Sequence, residues 1–488
     1  MQGINRRFVI KVLGFTLSIE SLFLFLSAGI SFFHDENDSL PLTGAAGITL
    51  FVGILFLLSV GKDKIQIIGK RDSFLTVALS WLTFCIFGAL PYYFAGDVNS
   101  VSDAFFESTS GLTTTGASIF TQIDHLSKGV LFWRCISQWL GGMGVIVFSL
   151  ALLPLIGEGA SQLFDAETTG ITHDRFRPRV AAVAKRLWGI YIGLTGILAF
   201  LLYLGPMDLF DAVCHALSTI STGGYSTKQS SIAYWNSPYV DSVIIIFMII
   251  GGINFSLLYF LFKGKIKKVL KNEELKWYLG IIVMATIVVS GFLIKDNLSN
   301  EGSPFSAIRE SLFQVVSILS TTGFATGDYV AWGPFYWLIF LLLMTVCGCA
   351  GSTSGGMKTV RIVVLVKNIR NELSKLIHPN AVIPIRLNGT ALSYELIQRT
   401  TAFVSLYIFL VFLSTLIFTL TGMGFEESLG AAFTAISNTG PGLGANGPAG
   451  SFADLSHFSK FYMSFLMIIG RLEIFTVLIL FTPDFRKN

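Results

Sequence analysis

The chain has 488 residues, 52% of them hydrophobic and 13% charged, a balance too apolar for a soluble protein of that length. With a mean hydropathy of +0.68 it reads as an all-α polytopic membrane protein. The net charge of +4 says little by itself, and no basic cluster interleaved with aromatics marks a nucleic-acid surface.

Residues 8–33 form an apolar run behind Arg6 and Arg7. No small-residue cleavage site closes it, so it is expected to stay as a helix. An acidic hairpin, Asp35, Glu36, Asn37 and Asp38, leads to a second span at 43–60, followed by Lys62, Lys64, Lys70 and Arg71. This two-helix segment, 1–72, precedes four repeats at 73–185, 186–275, 276–390 and 391–488. Each repeat reads as span, short helix, glycine-ended loop, span. The spans are 73–95 and 129–156, 186–204 and 238–262, 276–295 and 333–366, and 397–421 and 457–482. The short helices are 103–112, 208–219, 305–318 and 425–436. A crossing needs about 20 apolar residues, so these pieces are expected to enter the membrane and return. That makes ten crossings.

The glycine-ended loops organise the repeats. Residues 107–118 (ESTSGLTTTGAS) recur in variant form at 217–227 (LSTISTGGYST), 317–327 (SILSTTGFATG) and 434–444 (TAISNTGPGLG). With Gly116, Gly224, Gly323 and Gly440 aligned, the residue six earlier is a hydroxyl each time: Ser110, Ser218, Ser317, Thr434. The residue thirteen earlier is always acidic: Asp103, Asp211, Glu310, Glu427. Taking Gly223 in place of Gly224 breaks both coincidences. The repeat is roughly a hundred residues long, far beyond solenoid periods, and four linked copies imply pseudo-fourfold symmetry around one pore. Carbonyls and Thr hydroxyls at such a place are able to replace the hydration shell of a cation. The acidic residues are expected to begin the short helices, leaving the negative helix ends aimed inward.

Basic residues near short loops mark the cytoplasmic side. Arg175, Arg177, Arg179, Lys185 and Arg186, then Lys263, Lys265, Lys267, Lys268 and Lys271, then Lys367, Arg370, Lys375 and Arg386, then Arg486 and Lys487 all fall on one side if both termini are cytoplasmic. The third repeat's second span is interrupted by CGCAGSTSGGMK, 347–358. Irregular backbone at that depth is tolerated only against protein or water, so a loop beneath the pore is expected, able to obstruct ions. Residues 351–359 also come within one residue of a phosphate loop, with Met357 between glycine and lysine, which leaves a nucleotide-hydrolysing membrane enzyme as a reading from another class. Cys347 and Cys349 lack a further Cys or His nearby to make a metal site. In the last span Arg471 sits mid-helix by its spacing, where it should face the interior and be paired, but not with Glu473 two residues on.

These loops, the interrupted span and the terminal run GRLEIFT together resemble the TrkH-type subunits of the Trk/Ktr/HKT potassium-transporter superfamily, over essentially the whole chain. The resemblance implies potassium uptake across the bacterial inner membrane, without catalytic chemistry or an organic cofactor. It further implies a homodimer gated by a cytosolic ring of TrkA-type nucleotide-binding subunits. Carried over by position, the potassium filter would be Thr114, Thr115, Gly116, Thr222, Gly223, Gly224, Thr321, Thr322, Gly323, Asn438, Thr439 and Gly440. The gate would be the loop 348–357, with Gly348, Gly351, Ser352, Thr353, Ser354, Gly355 and Gly356, beside Lys358 and Arg471. A potassium symporter coupled to protons or sodium is the alternative; few intramembrane carboxylates are available to it as relays.

Overall fold

In the computed structural model, residues 4–60, 69–156, 180–298, 302–381 and 383–486 are described. Lys62, Lys64, Arg175, Arg177, Arg179 and Lys487 lie outside them. Apolar runs become helices here because lipid offers backbone N–H and C=O groups no water. The N-terminal helices, Arg6–Phe33 and Ser39–Ser59, cross at two glycines. A Cβ on Gly53 would lie 2.9 Å from Ser18 Oγ and 3.1 Å from the Gly14 carbonyl oxygen, so the close crossing requires small residues. The acidic hairpin between them has a structural use. Glu36 accepts the N–H groups of Lys128 (2.9 Å) and Gly129 (3.3 Å), capping a helix of the first repeat, and Asp38 accepts the hydroxyls of Ser31 and Ser127.

Each repeat then supplies an outer helix, a short helix, a glycine-ended loop and an inner helix. The outer helices are Lys70–Gly88 continued by Leu90–Ala95, Val180–Tyr203, Glu273–Asp296 and Tyr394–Leu420. The short helices are Val101–Leu112, Leu209–Ile220, Pro304–Leu319 and Phe425–Ser437. The inner helices are Lys128–Ile156, Pro238–Gly251 with Phe255–Phe262, Pro334–Val346 with Thr359–Ile377, and His457–Arg471 with Ile474–Leu478. Among the described residues six helices are long and apolar enough to cross a membrane, and two bent pairs raise this to eight. Lys128–Ile156 and the interrupted third inner helix complete the ten expected segments.

Three expectations need correction. The inner spans of the second and fourth repeats are not continuous: they bend by 105° and 113°. Gly144 interrupts the first as well, at φ 60° and ψ 173°. All four inner spans therefore break, not the third alone. In the second, Asn254 starts the new helix by accepting the Ser256 N–H at 2.8 Å. Arg471 accordingly ends a helix instead of occupying its centre. The acidic residue thirteen before the glycine lies in the first turn for Asp103, Asp211 and Glu427, but Glu310 lies mid-helix, because Ser303 caps that helix earlier by accepting the Ser306 N–H at 3.1 Å.

The N-terminal crossing is directly testable. Gly53→Leu should destabilise the protein by about 1–3 kcal/mol through overpacking, whereas Gly47→Leu, with no atom within 4 Å of its Cβ position, should leave stability nearly unchanged. Thermal unfolding in detergent checks the pair.

Candidate functional site

The four short helices end in loops that share one backbone conformation. Thr114, Thr222, Thr321 and Asn438, each two residues before the aligned glycine, all have φ between 54° and 61°. The glycines Gly116, Gly224 and Gly323 follow at 85°, 80° and 81°. Three of the first set are β-branched, for which left-handed φ is an outlier costing on the order of 1–3 kcal/mol each. Such strain repeated at equivalent positions needs a reason. Left-handed residues separated by one of ordinary hand turn successive carbonyls toward the same side, the arrangement that carbonyl-lined ion paths require. Gly224, not Gly223, carries the positive φ. Gly440 departs from the pattern and is followed by Pro441.

These loops meet in a closed ring. A Cβ on Gly116 would lie 2.1 Å from the Gly223 oxygen, and one on Gly224 would lie 1.9 Å from the Thr322 oxygen. One on Gly323 would lie 3.1 Å from Gly440 N, and one on Gly440 would lie 3.1 Å from the Gly116 and Thr115 oxygens. First loop touches second, second third, third fourth, and fourth first, with backbone against backbone. Thr114, Thr115, Thr222, Thr321, Thr322, Asn438 and Thr439 are fully buried, while Gly116, Gly224 and Gly323 are partly open to a polar mouth that all four glycines line.

The recurring hydroxyls brace the ring from behind. The carbonyl of Ser110, Ser218, Ser317 or Thr434 accepts the N–H of Thr115 (2.9 Å), Gly223 (2.8 Å), Thr322 (2.9 Å) or Thr439 (3.1 Å). Their side chains add a second tie in two repeats, Ser317 Oγ to the Phe324 oxygen (2.6 Å) and Thr434 Oγ1 to the Pro441 oxygen (3.0 Å). Three residues before each glycine, Thr113, Ser221, Ser320 and Ser437 donate back to carbonyls of their own short helices.

The interrupted segment of the third inner helix lies directly beneath the ring. Thr353 Oγ1 lies 3.1 Å from the carbonyl oxygens of Ile220 and Gly251 and 3.3 Å from Thr222 Oγ1. The Gly355 N–H donates to Thr321 Oγ1 at 2.9 Å, and a Cβ on Gly355 would lie 2.5 Å from the Ser437 oxygen. Three of the four loops thus touch the segment. Arg471 ties it to the first repeat by donating to the oxygens of Thr353 (2.7 Å), Gly141 (2.5 Å) and Gly142 (2.9 Å). Lys358 Nζ donates to the Ser354 oxygen. Gly348, Gly351, Ser352 and Gly356 shape the turn: Gly348 O accepts the Thr359 N–H at 2.9 Å, Gly351 O accepts the Phe255 N–H at 3.0 Å, Ser352 Oγ donates to the Cys349 oxygen at 2.6 Å, and Gly356 has φ 67°. The amides of Gly355 and Thr359, which a phosphate loop would aim at an anion, are therefore already engaged.

A family model described as a cation transport protein, TrkH, matches residues 48–486. The chain belongs to the TrkH family. It is 36% identical over 485 residues to the Trk system potassium uptake protein TrkH of Escherichia coli K12, covering 99% of both chains. It is 34% identical over 483 residues to TrkI of Halomonas elongata, covering 98% of this chain and 97% of that one. The crystal structure of the potassium transporter TrkH from Vibrio parahaemolyticus superposes with a TM-score of 0.89 at 35% identity, covering 99% of this chain and 100% of the other. The all-α architecture of repeats is that of a TrkH-family membrane protein.

Within this TrkH-family ring several residues have roles that sequence reading missed. In the first, third and fourth loops a threonine precedes the glycine and bonds the braced hydroxyl: Thr113 to Thr115 (2.8 Å), Ser320 to Thr322 (2.7 Å), Ser437 to Thr439 (2.9 Å). The second loop has Gly223 there. Gln138 of the first inner helix takes its place, donating to the Gly223 oxygen (2.7 Å) and accepting the Tyr225 N–H (3.0 Å). Deeper in the first repeat, Arg134 Nε meets Glu107 Oε1 at 2.9 Å, with side chains 1% and 0% exposed. The guanidinium also reaches the Ser226 oxygen (3.2 Å) and stacks on Tyr225, while Glu107 accepts the Ile119 N–H (3.0 Å). One buried ion pair, through its contacts to Ser226 and Tyr225, thus joins the first and second loops. Glu473 pairs with Arg361 at 2.5 Å.

Two variants follow from this geometry. Gly224→Ser should damage cation selectivity more than Gly223→Ser, since the former meets backbone at 1.9 Å with φ 80° and the latter meets a side chain, Gln138, at ordinary φ. Reversal potentials in bi-ionic gradients compare them. Glu107→Gln should cost about 3–5 kcal/mol of stability by leaving Arg134 buried without its counter-charge, a loss that thermal unfolding measures.

Proposed function

We propose that this chain is a potassium-uptake protein of the bacterial inner membrane, with the four-loop ring as its selectivity filter and both termini cytoplasmic. The observation that carries this is the shared strained backbone at Thr114, Thr222, Thr321 and Asn438, brought together in one closed ring. Carbonyls and hydroxyls held there from behind would replace water around a dehydrated ion, and the short-helix C-termini would favour positive charge. No chemistry is needed to drive entry. One charge moving through 100 mV gains about 2.3 kcal/mol, which supports roughly fiftyfold accumulation.

In this reading the segment 348–357 is the gate, since it lies across the inner end of the ring and is tied to it by Thr353 and Gly355. Arg471 holds the segment closed through carbonyl contacts and adds positive charge against a passing cation. Opening requires the segment to withdraw from Thr222 and Thr321. The pull would come from a cytosolic ring of nucleotide-binding TrkA-type subunits acting on a homodimer. Exposed basic residues Lys263, Lys265, Lys267 and Lys268, together with Arg386, offer it a cytoplasmic face.

Deleting residues 352–355 should give potassium flux that no longer needs the cytosolic partner, at least tenfold above the intact chain. Flux into liposomes lacking that partner measures it. A folded variant no more conductive than the intact protein moves the gate elsewhere, and equal sodium and potassium reversal potentials overturn the filter assignment.

A further inference from the structure

In the second repeat, the outer helix Val180–Tyr203 and the bent-away half helix Phe255–Phe262 border a groove of about 390 Å³. Its size falls within the range of about 300–1,000 Å³ typical of small-molecule sites. Two glycines one turn apart create it. Cβ atoms added at Gly189 and Gly193 would meet nothing within 4 Å, so the surface there is recessed by the missing side chains. Leu194 forms a buried floor, and Ile197 and Phe262, 51% and 62% exposed, form apolar rims. Gly189 to Ile197 spans about 12 Å along the helix axis.

The groove is polar at one end only. Arg186 and Lys263 both reach Tyr259 there: Arg186 Nη1 donates to the Tyr259 hydroxyl at 2.6 Å, and Lys263 Nζ lies 4.8 Å from the ring centroid. Among the described residues no carboxylate pairs with either cation. Both belong to the basic segments that mark the cytoplasmic side, where leaflet surfaces carry negative charge. The bend of 105° at Gly252–Asn254 turns Phe255–Phe262 away from the span before it and brings Tyr259 and Lys263 over the groove's end. An apolar channel ending in two cations that no carboxylate among the described residues pairs, beside a phenol, matches one kind of molecule, with an acyl tail and an anionic phosphate head.

We propose that this groove is a binding site for an anionic phospholipid, with one acyl chain along Gly189, Gly193 and Ile197 and the headgroup phosphate between Arg186 and Lys263. Tyr259 orients the guanidinium and offers its ring to the lysine. Occupancy would hold the bent half of the inner helix against the outer helix. The site thereby ties the position of the second repeat's cytoplasmic end to the lipid composition of the membrane.

Native mass spectrometry of the purified full chain, titrated with phosphatidylglycerol or phosphatidylcholine, tests this. The intact chain should retain one phosphatidylglycerol per copy at concentrations where phosphatidylcholine is lost. The double variant Arg186→Ala/Lys263→Ala should weaken that retention about 25-fold, taking roughly fivefold for each cation near an anionic headgroup. Gly193→Leu, which fills open space and keeps both charges, should abolish it while the thermal unfolding midpoint stays put; Lys265→Ala should do neither. Equal retention of both lipids, unchanged retention in either groove variant, or competition by millimolar inorganic phosphate alone overturns the proposal. So does a change of oligomeric state in Gly193→Leu without loss of lipid, which would assign the groove to a second copy of the chain.

Discussion

Backbone-on-backbone contact between neighbouring loops is the constraint on which this structure rests. The four glycine-ended loops approach so closely that a single methyl group on Gly116 or Gly224 would occupy the place of the next loop's carbonyl oxygen. Everything around the ring follows from that proximity. Side chains are excluded from the centre, so bracing must come from behind, through hydroxyls bonded to short-helix carbonyls and through the buried Arg134–Glu107 pair. The outer loops repeat the closure one layer further out. Ile123 N–H donates to Gln229, Ala233 N–H to the Ala325 oxygen, Tyr329 to the Gly442 oxygen, and Phe452 N–H to the Ser118 oxygen, linking the repeats in the same cyclic order.

The intramembrane segment obeys a related rule. Irregular backbone at membrane depth survives only where protein or water satisfies its polar groups. Here the second and third loops and the bend of the second inner helix do so, through Thr321 Oγ1, the Ile220 and Gly251 oxygens and the Gly252 oxygen, which accepts the Cys349 N–H at 2.9 Å. Glu274, at the start of the third outer helix, accepts the Ala350 N–H at 2.6 Å. Because the loop borrows its hydrogen bonds from the ring and the helices beside it, it cannot leave without exposing both partners. Under the proposed gating, water arriving in the vacated space would have to take over those bonds, so withdrawal and wetting would be one event.

The repeat length, the register of the glycines and the ends of the short helices were legible because a left-handed backbone at fixed spacing admits few residue types. Gly116, Gly224 and Gly323 had to be glycine, and the sequence repeats accordingly. Glu310 misled because acidity recurs at the same spacing for a different local reason, its helix having been started earlier by Ser303. The bends in the second and fourth inner spans left faint marks. Gly251-Gly252 with Asn254 is a helix stop followed by a cap, readable once a break is suspected in every repeat, whereas Glu473 at φ 61° follows no residue preference. Gln138 was out of reach. Its role exists only because Gly223, 85 residues away, lacks the hydroxyl that the other repeats possess.

That substitution shows what covalent linkage of four repeats permits. In a ring of identical subunits a missing threonine would be missing four times, and one amide clamp would have to serve every position. Here the first repeat contributes the clamps, Gln138 and Arg134, to its neighbour; the third contributes the interrupted helix; and the fourth contributes Arg471 and an asparagine, Asn438, whose amide bonds Thr115 at 3.0 Å and the Met467 oxygen at 2.9 Å. Asn438 stands where the others have threonine, and Gly440, two residues on, lacks the positive φ of the other glycines. The fourth side of the ring is therefore built by side-chain amide and proline in place of hydroxyl and left-handed glycine. Pseudo-symmetry is kept where backbone meets backbone in the ring and abandoned one layer behind it, so the asymmetric parts, loop and arginine, meet a nearly fourfold ring from below.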